Sequence, residues 1–409
     1  MRLTEEERGA LGGARGDGAR MAMEIVAEAA RMLGAPALLP VASAHVDSCV
    51  HVGDSGTLFC ERLVDGGARV GVPSTTNVGA LNLLRPDQCR LTPERRRMAA
   101  RLMRAHERMG CRPSWTCAPY QAGARPALGA QVAWGESNAV AFANTVLGAR
   151  TNRYGDFLDI ACAIAGRAPA CGLHLEENRR ARIVIDLSGL PEAVMADPAF
   201  FPVLGALAGR IAGDAVCAIV GAPAASEDDL KALCAAAAST GAVALLHVVG
   251  STPEAPDLAA ALGGGAPEET VRVDAAMLGE ARRALSQAPD GPIDSVALGS
   301  PHYSAEQCRA LLRLAGGRPF SVPVRVCTGR HVVEALEERG ALEALGVVFV
   351  VDTCVVVSPI LPEGPGVMMT DSAKFAHYAA GNTGHLPVFG TLAECVASAR
   401  AGRVVRLPA

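Results

Sequence analysis

The residues best equipped for chemistry lie between Cys117 and Arg153. The segment reads C-A-P-Y, then a Gly/Pro-rich passage, then W-G-E-S-N-A-V-A-F-A-N-T-V-L-G-A-R-T-N-R. A loop cysteine is followed by small and apolar residues that carry Glu136, Ser137, Asn138, Asn144, Arg150, Asn152 and Arg153. Surface loops are richer in Lys and Glu, and core helices do not hold so many amides and arginines. An unpaired buried amide or charge costs about 1–3 kcal/mol or more. These groups therefore need partners, either one another in a buried network or a polar ligand.

Other candidates fall near the ends of predicted strands, where ligands collect in open α/β sheets. They are Thr75, Thr76 and Asn77, the run Ser300 to Ser304 with His302, and Asp352-Thr353-Cys354, placed within an apolar strand over Val347–Val357. Thr370 to Lys374 opens a helix, whose free amides at Ser372 favour anions. A carboxylate substrate could sit there or on Arg150 or Arg153, bidentately. Cys49, Cys117 and Cys354 lie in polar, loop-like contexts, and each is a metal-ligand candidate beside the plainer reading of a buried thiol. His45, His174, His302 and His377 are candidate acid–base groups or ligands.

Elements that position these groups follow from patterning. Thr4 caps a helix opening Glu5-Glu6-Glu7. Gly18–Leu33 is an amphipathic helix with Asp17 as its cap, Arg69–Val72 is a buried strand, and Thr92–Met109 is a charged, exposed helix. From about Asp214 buried strands alternate with helices, which predicts βαβ units and a mostly parallel sheet. Arg330–Leu345 reads as one of those helices. The expected organisation is residues 1–190 carrying the polar block, then a regular α/β region over 191–409 whose segment 350–385 returns to the site.

Composition narrows the function. The chain has 409 residues, 50% hydrophobic but only 4% aromatic, so Ala, Val, Leu and Gly must fill tightly packed layers. Net charge is −4 with the signs interspersed, which argues against nucleic acid. The charged start M-R-L-T-E-E-E-R has no apolar core of a signal peptide, and no apolar run is long enough to span a membrane. A cytoplasmic protein is expected, with its 13 cysteines as thiols or metal ligands. No C-x-x-C pair, P-loop, dinucleotide fingerprint or nucleophile elbow occurs.

Taken together, C-A-P-Y at Cys117, the block from Trp134 to Arg153, G-L-H-L-E-E-N-R at Gly172, P-S-T-T-N-V-G-A at Pro73, D-T-C at Asp352 and M-T-D-S-A-K-F-A-H-Y at Met369 carry a resemblance. Over nearly its whole length the chain resembles the large, catalytic subunit of aconitase X, a divergent branch of the aconitase superfamily. The resemblance implies an aconitase-like α/β fold with several layers, and a hydro-lyase. It implies iron, usually as an iron–sulfur cluster held by cysteines, acting as a Lewis acid on a leaving hydroxyl. Two reactions fit: dehydration of cis-3-hydroxy-L-proline to Δ1-pyrroline-2-carboxylate, and dehydration of mevalonate 5-phosphate.

Phosphomevalonate-type members carry G-C-P-H where this chain has Gly299-Ser300-Pro301-His302. The chain instead has D-S-C-V-H-V-G-D-S-G around Cys49, similar to the hydroxyproline-type D-G-C-x-x-H-G. That favours hydroxyproline and implies Cys49, Cys117 and Cys354 as the cysteine set. The implied catalytic group is Glu136, Ser137, His45, His174 and Lys374. The implied substrate contacts are Thr75, Thr76, Asn77, Asn138, Asn144, Arg150, Asn152, Arg153, His302 and Ser372. The family also needs a small swivelling domain that supplies a catalytic serine. The expectation is that a separate small subunit brings it, since the last helix, Thr391–Ala401, closes shortly before Ala409. A metal-free regulatory subunit and a metal-free α/β enzyme are the rival readings.

Overall fold

Three parallel sheets follow one another along the chain, in a computed structural model that describes residues 1–408. The first has three short strands, with Ala44–Val46 between Ser74–Thr76 and Ala133–Trp134. The second has four, in the order Leu246–Val248, Cys217–Val220, Ile183–Asp186, Glu269–Arg272. The third has five, in the order Val347–Val350, Val324–Thr328, Ser295–Tyr303, Val367–Thr370, Leu386–Phe389. Only Leu38–Pro40 and Arg167–Pro169 pair antiparallel among the named strands. This is an α/β fold with mostly parallel sheets, as the alternation predicted. Parallel strands covered by helices on both faces read as continuous apolar runs, which is why the pattern was legible.

Helix boundaries follow their caps. Thr4 and Glu7 form a capping box before Glu5–Leu11, and Thr92 caps Pro93–Arg108. The second helix runs Asp17–Met32, one residue earlier than expected, with Gly16 as cap and Asp17 in its first turn.

Three expectations need correction. Arg69–Val72 is not a strand, and the strand lies at Ser74–Thr76. The amides of Val70 and Gly71 donate to Met109 and Ala163, at the ends of two helices, so they are not free for a ladder. The strand at Val347 stops at Val350, and Asp352-Thr353-Cys354 forms the loop beyond it. Asp352 has φ +67°, and its carboxylate is held by Arg330 and the Leu83 amide. Arg330–Leu345 is two short helices, Arg330–Ala335 and Arg339–Ala344, separated by an extended Leu336.

The first and third sheets meet through one apolar cluster. Cys49, Val78, Met103 and Trp115 pack there with Ala297, Cys327, Val350, Cys354 and Phe375. Helix Glu227–Thr240, from the second region, packs on helices Ser137–Thr145 and Ala373–Thr383. All three regions thus converge on the polar block.

Candidate active site

The three-stranded sheet delivers its polar groups by register. His45 pairs with Thr75 on one side and Trp134 on the other. Side chains two residues apart share a face of a strand. Asp47, Asn77 and Glu136, each two residues on, therefore form a second row just past the C-terminal ends of the strands. Amide contacts continue the ladder there, from Asn77 N to Val46 O at 2.8 Å and from Gly135 N to His45 O at 2.8 Å. Gly135 keeps the row close, because a Cβ would come 3.0 Å from the Asp47 Cβ and 3.1 Å from Asp159 Oδ2.

Glu136 is buried and acts as N-cap of helix Ser137–Thr145, with Oε2 accepting from Ala139 N at 2.7 Å. Its Oε1 meets Lys374 Nζ at 2.5 Å, and Ser137 Oγ donates to it at 3.2 Å. Burial alone would raise the Glu136 pKa, but the Lys374 charge outweighs it and the carboxyl stays below its ordinary value. Burial likewise opposes a charged Lys374, yet Glu136 holds its pKa above the usual one. The two form a buried ion pair at neutral pH.

Asp47 sits in a recess with partial solvent access. Burial and then the Glu136 charge push its carboxyl up to about 7, against the pull of the Asn77 amide, which donates to Oδ1. Asp159 lies behind it. Its carboxylate accepts from the amides of Asp47 at 2.6 Å, Ser48 at 2.9 Å and Ile160 at 2.6 Å. Sequence reasoning missed both aspartates. The signal for Asp47 was its position two residues after His45, on the same strand face.

Four buried polar atoms in this neighbourhood have no partner: His45 Nε2, Asn77 Oδ1, Trp134 Nε1 and Asn138 Oδ1. His45 is fully buried, and burial lowers its pKa to about 4. Its Nδ1 lies 2.8 Å from Thr75 Oγ1. Asn138 donates to the Cys117 carbonyl at 2.9 Å and the Tyr120 hydroxyl at 3.0 Å. Unsatisfied buried polar groups are rare in native proteins, and such a concentration marks where a ligand would bind.

Cys117 and Cys354 lie in the same pocket. Burial pushes the Cys117 thiol up to about 12, with Glu136 adding to it and Lys374 opposing, and Cys354 is among its charge neighbours. Cys354 is raised by burial, while the amides of Val356 and Val357 and the Lys374 ammonium act the other way. His302 ties both loops together. Its Nε2 donates to the Thr353 carbonyl at 3.1 Å, so its Nδ1 accepts from Thr116 Oγ1 at 3.0 Å, and its backbone amide donates to Cys117 Sγ at 3.2 Å. Cys327, which the sequence did not single out, is a third thiol close to both. Gly299, with φ +90°, leaves the room that a Cβ would take from the Cys327 carbonyl.

Cys49 lies in the buried cluster that also holds Cys327 and Cys354. Its S–H faces the carbonyls of Val46, Asn77 and Val78 at 3.3–3.5 Å, and its charge neighbours are Asp47, Asp159 and Cys111. Among the described residues no group of three or more His, Cys, Asp or Glu side chains is assembled for a metal ion. The thiol pair Cys117 and Cys354, beside a lysine ammonium, fits a thiolate-held centre at two positions.

The remaining sequence candidates have partners or places of their own. Asn144 is fully engaged, donating to Thr151 and Ala244 and accepting from Thr151 N and Arg179. Asn152 holds Cys171 O and Leu173 N. Arg150 pairs with Glu176, and the exposed Arg153 donates to Ala238 O. His174 accepts from the Tyr154 hydroxyl at 2.5 Å and donates to Gln131 Oε1 at 2.6 Å. Arg179 joins this network to Glu254 at 2.5 Å, so the G-L-H-L-E-E-N-R block clamps the first region to the second. Thr76 holds the loop before Cys117 through Trp115 N, Ser372 caps its helix, and His377 is exposed on the same helix, Ala373–Thr383. A cleft of about 790 Å³ borders the pocket through Val356, Val357 and Ser358 and is lined by His51, Arg90, Arg95 and His385.

The aconitase X first, second and third domains match residues 1–177, 181–283 and 293–401. The chain belongs to the aconitase X family. It is 43% identical to the cis-3-hydroxy-L-proline dehydratase of Pseudomonas aeruginosa, over 98% of this chain and 70% of that protein. It is 40% identical to the enzyme of the same name from Hypocrea jecorina, over 98% and 68%. Identity to the phosphomevalonate dehydratase large subunit of Methanothermobacter thermautotrophicus is 38%, over 90% and 91%. The crystal structure of Thermococcus kodakaraensis aconitase X in its holo-form superposes with a TM-score of 0.87 at 30% identity, over 98% of this chain and all of that one. The aconitase-like fold and a dehydratase activity, that of a carbon–oxygen lyase, follow. An aconitase-type family also suggests an iron-containing cofactor. No helix among the described residues is long and apolar enough to cross a membrane.

Proposed function

We propose that the chain dehydrates cis-3-hydroxy-L-proline to Δ1-pyrroline-2-carboxylate, together with a small partner subunit that supplies the catalytic serine. The observation that carries this reading is the charge of the pocket. Asp47, Glu136 and Asp159 surround the sheet end, and Lys374, the cation among them, is already paired with Glu136. Such a pocket suits a zwitterion with one carboxylate and one ammonium, and opposes a phosphate dianion. The higher identities to the two hydroxyproline enzymes support the same substrate. The name "large subunit", carried by the methanogen relative, supports a small partner.

In this reading Lys374 holds the substrate carboxylate and stabilises the charge that develops on it when the α-proton leaves. Glu136 keeps Lys374 protonated and oriented. Asn77, Asn138 and His45 offer unpartnered atoms to the ring and the leaving hydroxyl. Cys117 and Cys354 would hold the iron centre, which would act as a Lewis acid on the departing hydroxide. His302 positions both cysteines through Thr116 and Thr353.

The test is anaerobic co-purification with the small partner, then parallel assays on cis-3-hydroxy-L-proline and mevalonate 5-phosphate. Pyrroline formation that disappears in Cys117→Ser and Cys354→Ser is expected. Turnover of the phosphate substrate alone would keep the family and reject the substrate.

A further inference from the structure

The parallel register sets Asn77, Asp47 and Glu136 side by side past the strand ends, and of the acidic groups there only Asp47 has an oxygen to spare. Asp159 is saturated by three backbone amides. Glu136 is taken up by Lys374, Ala139 N and Ser137. Asp47 Oδ1 accepts from the Asn77 amide, while Oδ2 has no hydrogen-bond partner among the described residues. Next to it, Asn77 is only 3% exposed, and its Oδ1 has no partner either. His45, fully buried on the same strand face, also leaves Nε2 unpartnered. Two free acceptors, one of them a carboxylate oxygen, therefore belong to hydrogen-bonded neighbours at the sheet end.

A secondary ammonium carries two N–H donors. We propose that Asp47, held by Asn77, is the residue that receives the ring ammonium of the substrate, one N–H to Asp47 Oδ2 and the other to Asn77 Oδ1. The assignment rests on the hydroxyproline reading above and adds a specificity determinant to it. The carboxylate of the amino acid then points toward Lys374, on the far side of Glu136. Asp47 selects cyclic amino acids over ring analogues that lack the nitrogen.

The test compares two competitive inhibitors of the enzyme with its small partner: L-proline, which has the ring ammonium, and (S)-tetrahydrofuran-2-carboxylate, which has an ether oxygen there. The wild-type enzyme is expected to bind L-proline about tenfold or more tightly than the ether, as a charge-assisted pair implies. Asp47→Asn keeps the shape and the acceptor for Asn77 but removes the charge, and should bring the two inhibition constants to within about a factor of two. The ratio is independent of how much protein folds, and Asp47→Ser provides a second variant if the first is insoluble. A ratio unchanged in either variant, or a wild-type enzyme that does not discriminate, overturns the assignment. Wild-type turnover of cis-3-hydroxy-L-proline separates the cases. Turnover with an unchanged ratio removes only the role of Asp47, whereas turnover of mevalonate 5-phosphate alone removes the substrate reading and this assignment with it.

Discussion

Lys374 Nζ lies 2.5 Å from Glu136 Oε1, joining two residues 238 positions apart in one buried pair. Removing one member leaves the other as an uncompensated buried charge, at a cost of about 3–5 kcal/mol. Glu136→Gln should lose that much in chemical denaturation, and its dehydratase rate should fall below detection. The double variant Glu136→Gln/Lys374→Met should recover much of the stability and none of the rate. Recovery of the rate would show that the pair only holds the fold.

His302 makes a second prediction. It ties Thr116, next to Cys117, to Thr353, next to Cys354. Support of this kind behind metal ligands changes affinity by about 10–100-fold. His302→Ala should therefore lower iron per chain after anaerobic reconstitution and speed the reaction of Cys117 with a thiol reagent. Unchanged iron content and unchanged reactivity would reject the positioning role.

The cysteines separate by geometry. Cys49 faces three backbone carbonyls, and its charge neighbours are Asp47, Asp159 and Cys111. Cys49→Ala should keep both iron and activity and lose about 1–2 kcal/mol of stability from the small cavity. Cys117→Ser and Cys354→Ser should lose both. Loss of iron in Cys49→Ala would restore Cys49 to the ligand set.

His174 sets a pH dependence. Burial holds its pKa at about 4, against an ordinary 6.5. The unfolded chain therefore binds a proton that the folded one refuses between those values, and stability linked to His174 is lost as pH falls from about 6.5 to 4. His174→Gln should flatten that part of the stability curve, measured by denaturation at several pH values. Its kcat should stay near wild type, because both ring nitrogens are engaged by Tyr154 and Gln131. A large fall in kcat alone would return His174 to the chemistry.

Much of this was legible in the sequence where local rules act. The capping boxes, the buried parallel strands and the density of amides and arginines in Glu136–Arg153 follow from residue type and spacing. The exchange of partners among those amides did not. Asn144, Asn152 and Arg150 resemble Asn138 in type, yet they are spent on structural partners, because Arg179 and Ala244 reach Asn144, Cys171 reaches Asn152 and Glu176 reaches Arg150. The end of the strand at Val350 was missed because a left-handed Asp352 is fixed by Arg330 and Leu83, a contact spanning more than 200 residues on one side. Asp47 was missed because a lone aspartate after a strand carries no motif, and its meaning comes from the register of its two neighbours.

The pairing of Glu136 with Lys374 also dates the site within the life of the molecule. During synthesis the first sheet is complete well before the third is made, so the pocket stands open, with Glu136 lacking its cation, until residues beyond Lys374 have emerged and docked. Domains generally fold as units from the N-terminus while the chain is being made. The nascent protein therefore holds a half-site of unpaired carboxylates and a single pocket thiol, Cys117. The chain's own share of the site is complete only when the helix Ala373–Thr383 seats and Lys374 meets Glu136.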